Sequence, residues 1–182
     1  MKKILLSALL LTVTHSFSQT YFKFNAPTTL LGIPQIGIET SLAKKVTYQF
    51  DVLGSHWNSL NGAPFKTIMG ISEFRYHFNE NYKGIYVGGH FGASKFELQK
   101  WNYINSNKYQ KGYALFFGFT IGYQIKINDK WMVDMFMGGG NQQAGYKGYY
   151  LGTDTRYEHV RNYNKSGEWL PYRGGIMFSY KL

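Results

Sequence analysis

The segment Tyr113–Ile127 alternates between two kinds of side chain along its whole length. Its odd-numbered positions are all apolar or aromatic, whereas its even-numbered positions are mostly small or polar. A period of two indicates a β-strand whose two faces meet different surroundings. An apolar face of this length is more than a small soluble sheet needs, so the segment predicts a strand that crosses a membrane.

Two tyrosines bracket the apolar face of this strand. Tyr113 and Tyr123 are ten residues apart, which is roughly 33 Å along a strand at about 3.3 Å per residue. A tilt of about 40–45° projects that length to roughly 24 Å, close to the ~25 Å apolar band between the aromatic girdles of an outer-membrane barrel. The spacing therefore favours the bacterial outer membrane as the location of the chain.

The same alternation recurs along the rest of the chain, and the number of predicted strands is eight. An even number is the rule for single-chain bacterial barrels. The predicted fold class is all-β, an eight-stranded antiparallel up-and-down transmembrane β-barrel that occupies residues 19–182. The predicted strands are approximately Tyr21–Asn25, Gln35–Leu42, Val46–Leu53, Thr67–Phe78, Ile85–Leu98, Tyr113–Ile127, Trp131–Gly140 and Tyr172–Leu182.

The connections between these strands alternate in length. Outer-membrane barrels have short periplasmic turns and longer extracellular loops, so the alternation supports the same fold. The short connections are residues 43–45, 79–84 and 128–130. The long connections are residues 54–66, 99–111 and 141–171. Residues 26–34 form the fourth connection at the same end of the barrel, and it is the only short one there.

Outward-facing residues must oppose outward-facing residues across each turn, and this fixes the strand registers. The outward pairs expected on this rule are Leu42 with Val46, Phe78 with Ile85, and Ile127 with Trp131. The inward pairs that follow are Gln124 with Asp134, and Glu73 with His90, whose side chains should meet inside the barrel. The alternation slips near Gly92–Ser94, which predicts a β-bulge there.

Residues 1–18 are predicted to be a secretory signal peptide. Lys2 and Lys3 form a basic start, residues 4–13 form an apolar stretch, and Ser16-Phe17-Ser18 is a small-x-small cleavage site. A membrane-anchor helix is the alternative, but ten apolar residues are too few to span ~30 Å of hydrocarbon. The chain has no Cys, so it can form neither disulfides nor thiolate metal sites.

The formal net charge of +10 is compatible with nucleic-acid binding. The basic residues are spread through the connections rather than clustered, and the chain is expected to be exported. We therefore predict no nucleic-acid partner. A basic surface that faces anionic lipid head groups or surface polysaccharide explains the charge more simply.

Charged and polar residues fall on the inward faces of the predicted strands. An unpaired charge there would cost several kcal/mol, and an eight-stranded barrel has an interior just wide enough for side chains to fill. The predicted lumen network consists of Glu39, Asp51, Glu73, Arg75, His90, Gln124 and Asp134, with Lys23, Gln49, Lys126 and Lys181 also inward. We interpret it as a structural plug; a proton or ion path, or an active site, is the alternative.

The extracellular loops carry aromatic residues interleaved with basic ones. This mixture suits sugar stacking combined with pairing to phosphate or carboxylate groups, and it equally suits a girdle at the lipid head groups. The candidate binding residues are Trp101, Tyr103, Lys108, Tyr149, Arg156, Arg161 and Trp169. The candidate partners are therefore outer-membrane lipid and an anionic surface glycan.

Two other functions stay open. A lipid-modifying outer-membrane enzyme would need a Ser–His pair, but Ser55 and His56 are neighbours on a strand and point to opposite faces. A soluble periplasmic barrel that binds an apolar ligand would need its apolar residues inside. We expect no cofactor and no metal, since Glu73 and His77 lie roughly 13 Å apart on one strand face, too far to share an ion.

Three segments carry a family resemblance. They are Pro34–Glu39 continued by Lys44–Thr47, then Glu73–Phe78, and then Gly89–Gly92. They are similar to a family of small outer-membrane barrels of unknown function, widespread in Bacteroidetes, although His77 stands where that family has Trp. The resemblance implies an eight-stranded barrel like OmpA and OmpX without an established ligand. Some members look associated with surface-appendage gene clusters, which adds a surface-appendage protein to the candidate partners.

Overall fold

A computed structural model describes residues 19–59, 61–153, 155–157 and 164–182, so the predicted signal peptide lies outside the described residues. Eight antiparallel strands follow one another around a closed barrel, and β8 pairs with β1. The strands are β1 (Thr20–Asn25), β2 (Gln35–Ala43), β3 (Val46–Asn58), β4 (Pro64–His77), β5 (Gly84–Leu98), β6 (Lys108–Lys126), β7 (Trp131–Tyr150) and β8 (Asn164–Lys181). The only helical pieces in this part of the chain are α1 (Ala26–Leu30) and a 3₁₀ turn (Trp101–Tyr103). The predicted all-β, up-and-down fold is confirmed.

The apolar side chains of the strands point away from the barrel interior. On β6 the odd-numbered residues from Tyr113 to Ile125 are exposed, whereas all the even-numbered residues from Gly112 to Gln124 except Gly122 are buried. Phe117 and Phe119 expose 55% and 75% of their surface. The two-residue period therefore separates an apolar exterior from a polar interior, the reverse of a soluble protein. Among the described residues no helix is long and apolar enough to cross a membrane.

The two ends of the barrel differ in their connections. Residues 44–45, 78–83 and 127–130 join strands at one end, which we call the turn end. Residues 26–34, 59–63, 99–107 and 151–163 join strands at the other, the loop end. The predicted long loops at 54–66, 99–111 and 141–171 are wrong in large part, because β3, β4, β6, β7 and β8 continue through them. Backbone pairing reaches Lys108 opposite Tyr150, since ladder hydrogen bonds do not require an apolar face.

Most of the predicted registers are confirmed. Glu73 pairs with His90, and Gln124 pairs with Asp134. The turn registers of two hairpins also hold, because backbone hydrogen bonds join Phe78 to Ile85 and Ile127 to Trp131. Parity was therefore sufficient to set the register of the hairpins β4–β5 and β6–β7.

Two details of the predicted registers are wrong. A bulge between Ser41 and Ala43 places Ala43, not Leu42, opposite Val46. The bulge predicted near Gly92–Ser94 is absent, because β5 pairs with both neighbours without a shift. The chemistry of the faces changes there instead: Lys95 is exposed on the outside and Phe96 is buried inside.

A second bulge lies in the β7–β8 pair. The register shifts by one residue between Gly138 and Gly140, so that Pro171 and Tyr172 both face Gly139. Proline has no backbone N–H and is tolerated in a sheet at such a bulge. A Cβ on Gly139 would collide with the backbone of β8. Because of this shift, the odd and even positions of β8 exchange their inward and outward facing between the two sides of the bulge.

Apolar clusters and charged residues alternate along the interior. The apolar clusters consist of Tyr21, Tyr82 and Met132 at the turn end, Tyr86, Phe136 and Met177 further in, and Phe96, Ala114 and Ala144 toward the loop end. Buried charged side chains of β1–β4, β7 and β8 occupy the same interior. The barrel core is thus a packed mixture of rings, aliphatic groups and paired charges.

Candidate functional site

Lys23 of β1 is fully buried and contacts two carboxylates. Its Nζ donates hydrogen bonds to Glu39 Oε2 at 2.7 Å and to Asp134 Oδ2 at 2.5 Å. A third bond, of 2.8 Å, goes to the side-chain oxygen of Gln49. All three protons of the ammonium group are satisfied, which is the condition under which a buried lysine can remain charged.

Arg75 of β4 extends the same cluster across the lumen. Its Nε donates to Glu73 Oε2 at 2.7 Å, and its Nη1 donates to Asp134 Oδ2 at 2.7 Å and to Glu39 Oε2 at 3.1 Å. The guanidinium carbon also lies 4.5 Å from the centroid of the Tyr86 ring. One arginine therefore holds three carboxylates that would otherwise repel one another.

Arg173 of β8 adds a second centre. Its Nη2 donates to Asp51 Oδ1 at 3.0 Å and to Glu73 Oε2 at 2.8 Å. Because Glu73 also accepts from Arg75, the two centres form one network. Gln35 and Gln49 donate to the two oxygens of Asp51 at 2.7 and 2.6 Å.

The network closes the lumen with direct contacts between distant strands. They join β4 to β7, β2 to β6, and β3 to β8. Four carboxylates meet three cations in the described part of the network. Neutral donors stabilise the carboxylates further: Thr47 donates to Glu39 at 2.6 Å, and Tyr86 to Asp134 at 2.9 Å. Side chains, rather than open space, fill the barrel at this level.

Of the seven predicted lumen residues, six join this network and His90 stands apart. Gln124 donates to Glu39 Oε2 at 2.9 Å. His90 is buried and faces inward, as predicted, but its two ring nitrogens are hydrogen-bonded to Thr120 at 3.0 Å and Tyr172 at 2.8 Å. Glu73 accepts hydrogen bonds from the two arginines, and Thr120, a partner of His90, also interacts with Glu73.

Sequence reasoning missed Arg173 and placed Lys126 too deep in the lumen. Arg173 has the same parity as the inward residues Met177 and Ser179, which could have identified it, but Gly174 and Gly175 interrupt the alternation. Lys126 has the inward parity, opposite the buried Met132, but it is exposed at the turn end.

The candidate binding residues that the structure describes do not form one site. Tyr149 lies on β7 rather than in a loop, with its ring 5.7 Å from that of Tyr109. Trp169 lies on β8 and faces outward against Phe117, with ring centroids 6.5 Å apart. Arg156 pairs with Tyr149 through an isolated bridge. Arg161 is outside the described residues, and of Trp101 only the backbone position is described.

Two of the candidates do come together, around Tyr157. Lys108 Nζ lies 5.0 Å from the centroid of the Tyr157 ring, and the Tyr103 ring centroid lies 6.5 Å from it. Burial raises the pKa of the Tyr157 phenol to about 12; like an ordinary tyrosine, it is protonated at neutral pH and can donate a hydrogen bond. This aromatic and basic cluster is the best candidate at the loop end for contact with a sugar or an acidic group.

Among the described residues, Ser55 and His56 do not form a Ser–His pair, and no metal-binding cluster is present. Ser55 faces inward and donates to the backbone oxygen of Phe65 at 2.8 Å, whereas His56 is exposed on the outside. No three His, Cys, Asp or Glu side chains of the described ranges are grouped so that they could hold a metal ion.

The profile of a family described as protein of unknown function (DUF3575) matches residues 3–182. No curated protein matches the chain.

Proposed function

The chain belongs to the DUF3575 family of unknown function, and we propose that it is a small outer-membrane β-barrel with a side-chain-filled lumen that acts through the surface at its loop end. The observation that carries this proposal is the reversal of polarity between the two faces of the barrel. Charges are buried and paired inside, while Phe, Ile, Leu and Val side chains cover the outside. Lipid is the solvent in which such an exterior is stable.

The outer surface of β3–β7 supports this location. Between the position of Tyr113 and the turn end, none of the outward-facing residues described on these strands is charged. The ring centroids of Trp131 and Tyr180 lie 5.0 Å apart near the turn end. On β6, Tyr113 and Tyr123 lie at the two borders of the apolar band. Amphipathic rings at the two borders of an apolar band are typical of outer-membrane barrels.

Neither alternative function gains support from the geometry. The interior is charged and filled, whereas a soluble carrier of apolar ligands needs an apolar cavity inside. Ser55 and His56 face opposite sides of β3, whereas a lipid-modifying enzyme needs a nucleophile beside its base. Around Tyr157 the tyrosine rings and Lys108 instead suit an interaction role with an anionic surface glycan or a surface-appendage protein.

The filled lumen makes a prediction about transport. Protein reconstituted into planar bilayers is expected to give no discrete conductance steps, because the contacts from β4 to β7 and from β2 to β6 cross the barrel where an ion would have to pass. A general porin in the same membranes provides the positive control. Reproducible single-channel steps from the purified protein would contradict the filled lumen.

A further inference from the structure

Four lysines gather on the outer face of the barrel at the loop-end edge of the apolar band. Lys66, Lys111 and Lys147 belong to one row of paired positions across β4–β7, with Glu97 as the β5 member of that row. Lys95 lies in the next row, beside Tyr113. These lysines line a groove of about 900 Å³. We call Lys66, Lys95, Lys111 and Lys147 the lysine belt; with Glu97 as the only acid in its two rows, the belt is strongly cationic.

The lysine belt stands directly at a border between charged and uncharged surface. The next outward row toward the turn end contains Val52, Gly70, Ala93, Leu115 and Gln143, and no charged outward-facing residue follows on these strands before the turns. The short β1–β2 side of the barrel carries no comparable lysines among its outward residues. On the strands, the outward-facing positive charge is therefore concentrated on the β4–β8 side of the barrel, at its loop-end edge.

Aromatic rings hold two of the belt ammonium groups in place. Lys111 Nζ lies 5.2 Å from the Tyr109 ring centroid and 5.4 Å from that of Tyr149. Lys95 Nζ lies 5.9 Å from the Tyr113 ring centroid. Lys111 also pairs with Glu97 at 3.3 Å. Such contacts reduce the side-chain freedom that a flexible lysine loses when it binds an anion.

We propose that the lysine belt binds the phosphate groups of a lipid head group in the outer leaflet. Ammonium groups are effective point charges for phosphate oxygens. The same groove is lined by Ile68 and Tyr113, beyond which the apolar rows begin, so that a lipid can place phosphate on the lysines and its chains on the band. A free phosphate ion would use the lysines alone. This site rests on the outer-membrane location proposed above.

Binding can be measured with the full barrel in neutral detergent micelles. The probe is bisphosphorylated lipid A, with the same lipid lacking both phosphates as the comparison ligand. The belt variant carries Lys66→Gln, Lys95→Gln, Lys111→Gln and Lys147→Gln. A matched control variant replaces four exposed lysines of the turn end, Lys44, Lys83, Lys126 and Lys130, by Gln. The wild-type barrel should prefer the phosphorylated lipid, and the belt variant should bind it at least about tenfold more weakly, whereas the control should bind like wild type.

The outcomes separate this site from the membrane location itself. Equal binding by belt variant and wild type would overturn the site, and so would displacement of the lipid by an equimolar amount of inorganic phosphate, which would identify a free-anion site. Fractionation of cells that produce the same variants reports the location independently. If the belt variant and the wild-type protein both reach the outer membrane and bind the lipid equally well, only the lipid site is refuted. If the wild-type protein is absent from the outer membrane, the proposed function is refuted as well.

Discussion

Replacement of both Phe117 and Phe119 by arginine is expected to abolish assembly of the barrel in the outer membrane. Both side chains are exposed in the middle of the apolar band on β6. An arginine facing lipid near the bilayer midplane costs about 2–4 kcal/mol, and two such costs approach the whole stability of a typical domain, about 5–15 kcal/mol. The amount of heat-modifiable, protease-resistant barrel in isolated outer membranes measures the effect.

The matched control places two arginines where the barrel should meet water. Asn58 and Asn105 are both exposed at the loop end, so the variant Asn58→Arg with Asn105→Arg should assemble at the wild-type level. The comparison excludes the two added positive charges themselves as the cause of failed assembly. Normal assembly of the Phe117→Arg, Phe119→Arg variant, or its recovery as a folded soluble protein, would show that the apolar band does not face lipid.

Substitution of Arg75 by methionine is expected to give the largest loss of stability among single changes in the lumen. Glu39, Glu73 and Asp134 all accept hydrogen bonds from this guanidinium. Methionine approximates the length of the side chain but leaves the carboxylates with one cation fewer, and breaking a buried ion pair in this way costs about 3–5 kcal/mol. The free energy of unfolding by urea in lipid vesicles gives the value directly.

Two further variants identify the cause of the Arg75 effect. Lys83 is exposed in the β4–β5 turn, so Lys83→Met should change the free energy of unfolding by no more than about 0.5 kcal/mol. Combining Arg75→Met with Glu73→Gln should recover part of the loss, because one of the unpaired carboxylates is then neutral. A cost below about 1 kcal/mol for Arg75→Met would mean that the carboxylates do not depend on this arginine.

The faces of the strands could be predicted from sequence because an apolar exterior and a polar, filled interior impose opposite chemistry on alternate residues. Wherever both environments act, as along β6 from Tyr113 to Ile125, parity alone gave the facing and the registers. Gln124 opposite Asp134 and Glu73 opposite His90 followed from the same rule. The charged interior was equally readable, since six of the seven predicted residues join one network.

Prediction failed where that contrast ends. Beyond the apolar band both faces of the sheet are mixed, so the strand extensions of β6 and β7 resemble loops in sequence, although backbone pairing continues to Lys108 and Tyr150. Bulges were also misplaced, since a shift of one residue depends on local backbone contacts such as the close approach of Gly139 to β8. That shift explains why Trp169 faces outward beside Phe117.

The membrane location can be measured directly by spin labelling along β6. The chain contains no Cys, so single cysteines at 114–121 can be labelled without background in barrel reconstituted into lipid vesicles. Labels at Leu115, Phe117, Phe119 and Ile121 are expected to collide frequently with oxygen dissolved in the bilayer and rarely with a water-soluble nickel chelate, while labels at the even positions between them are shielded from both. Free access of the nickel chelate to the odd positions would contradict an apolar band buried in lipid.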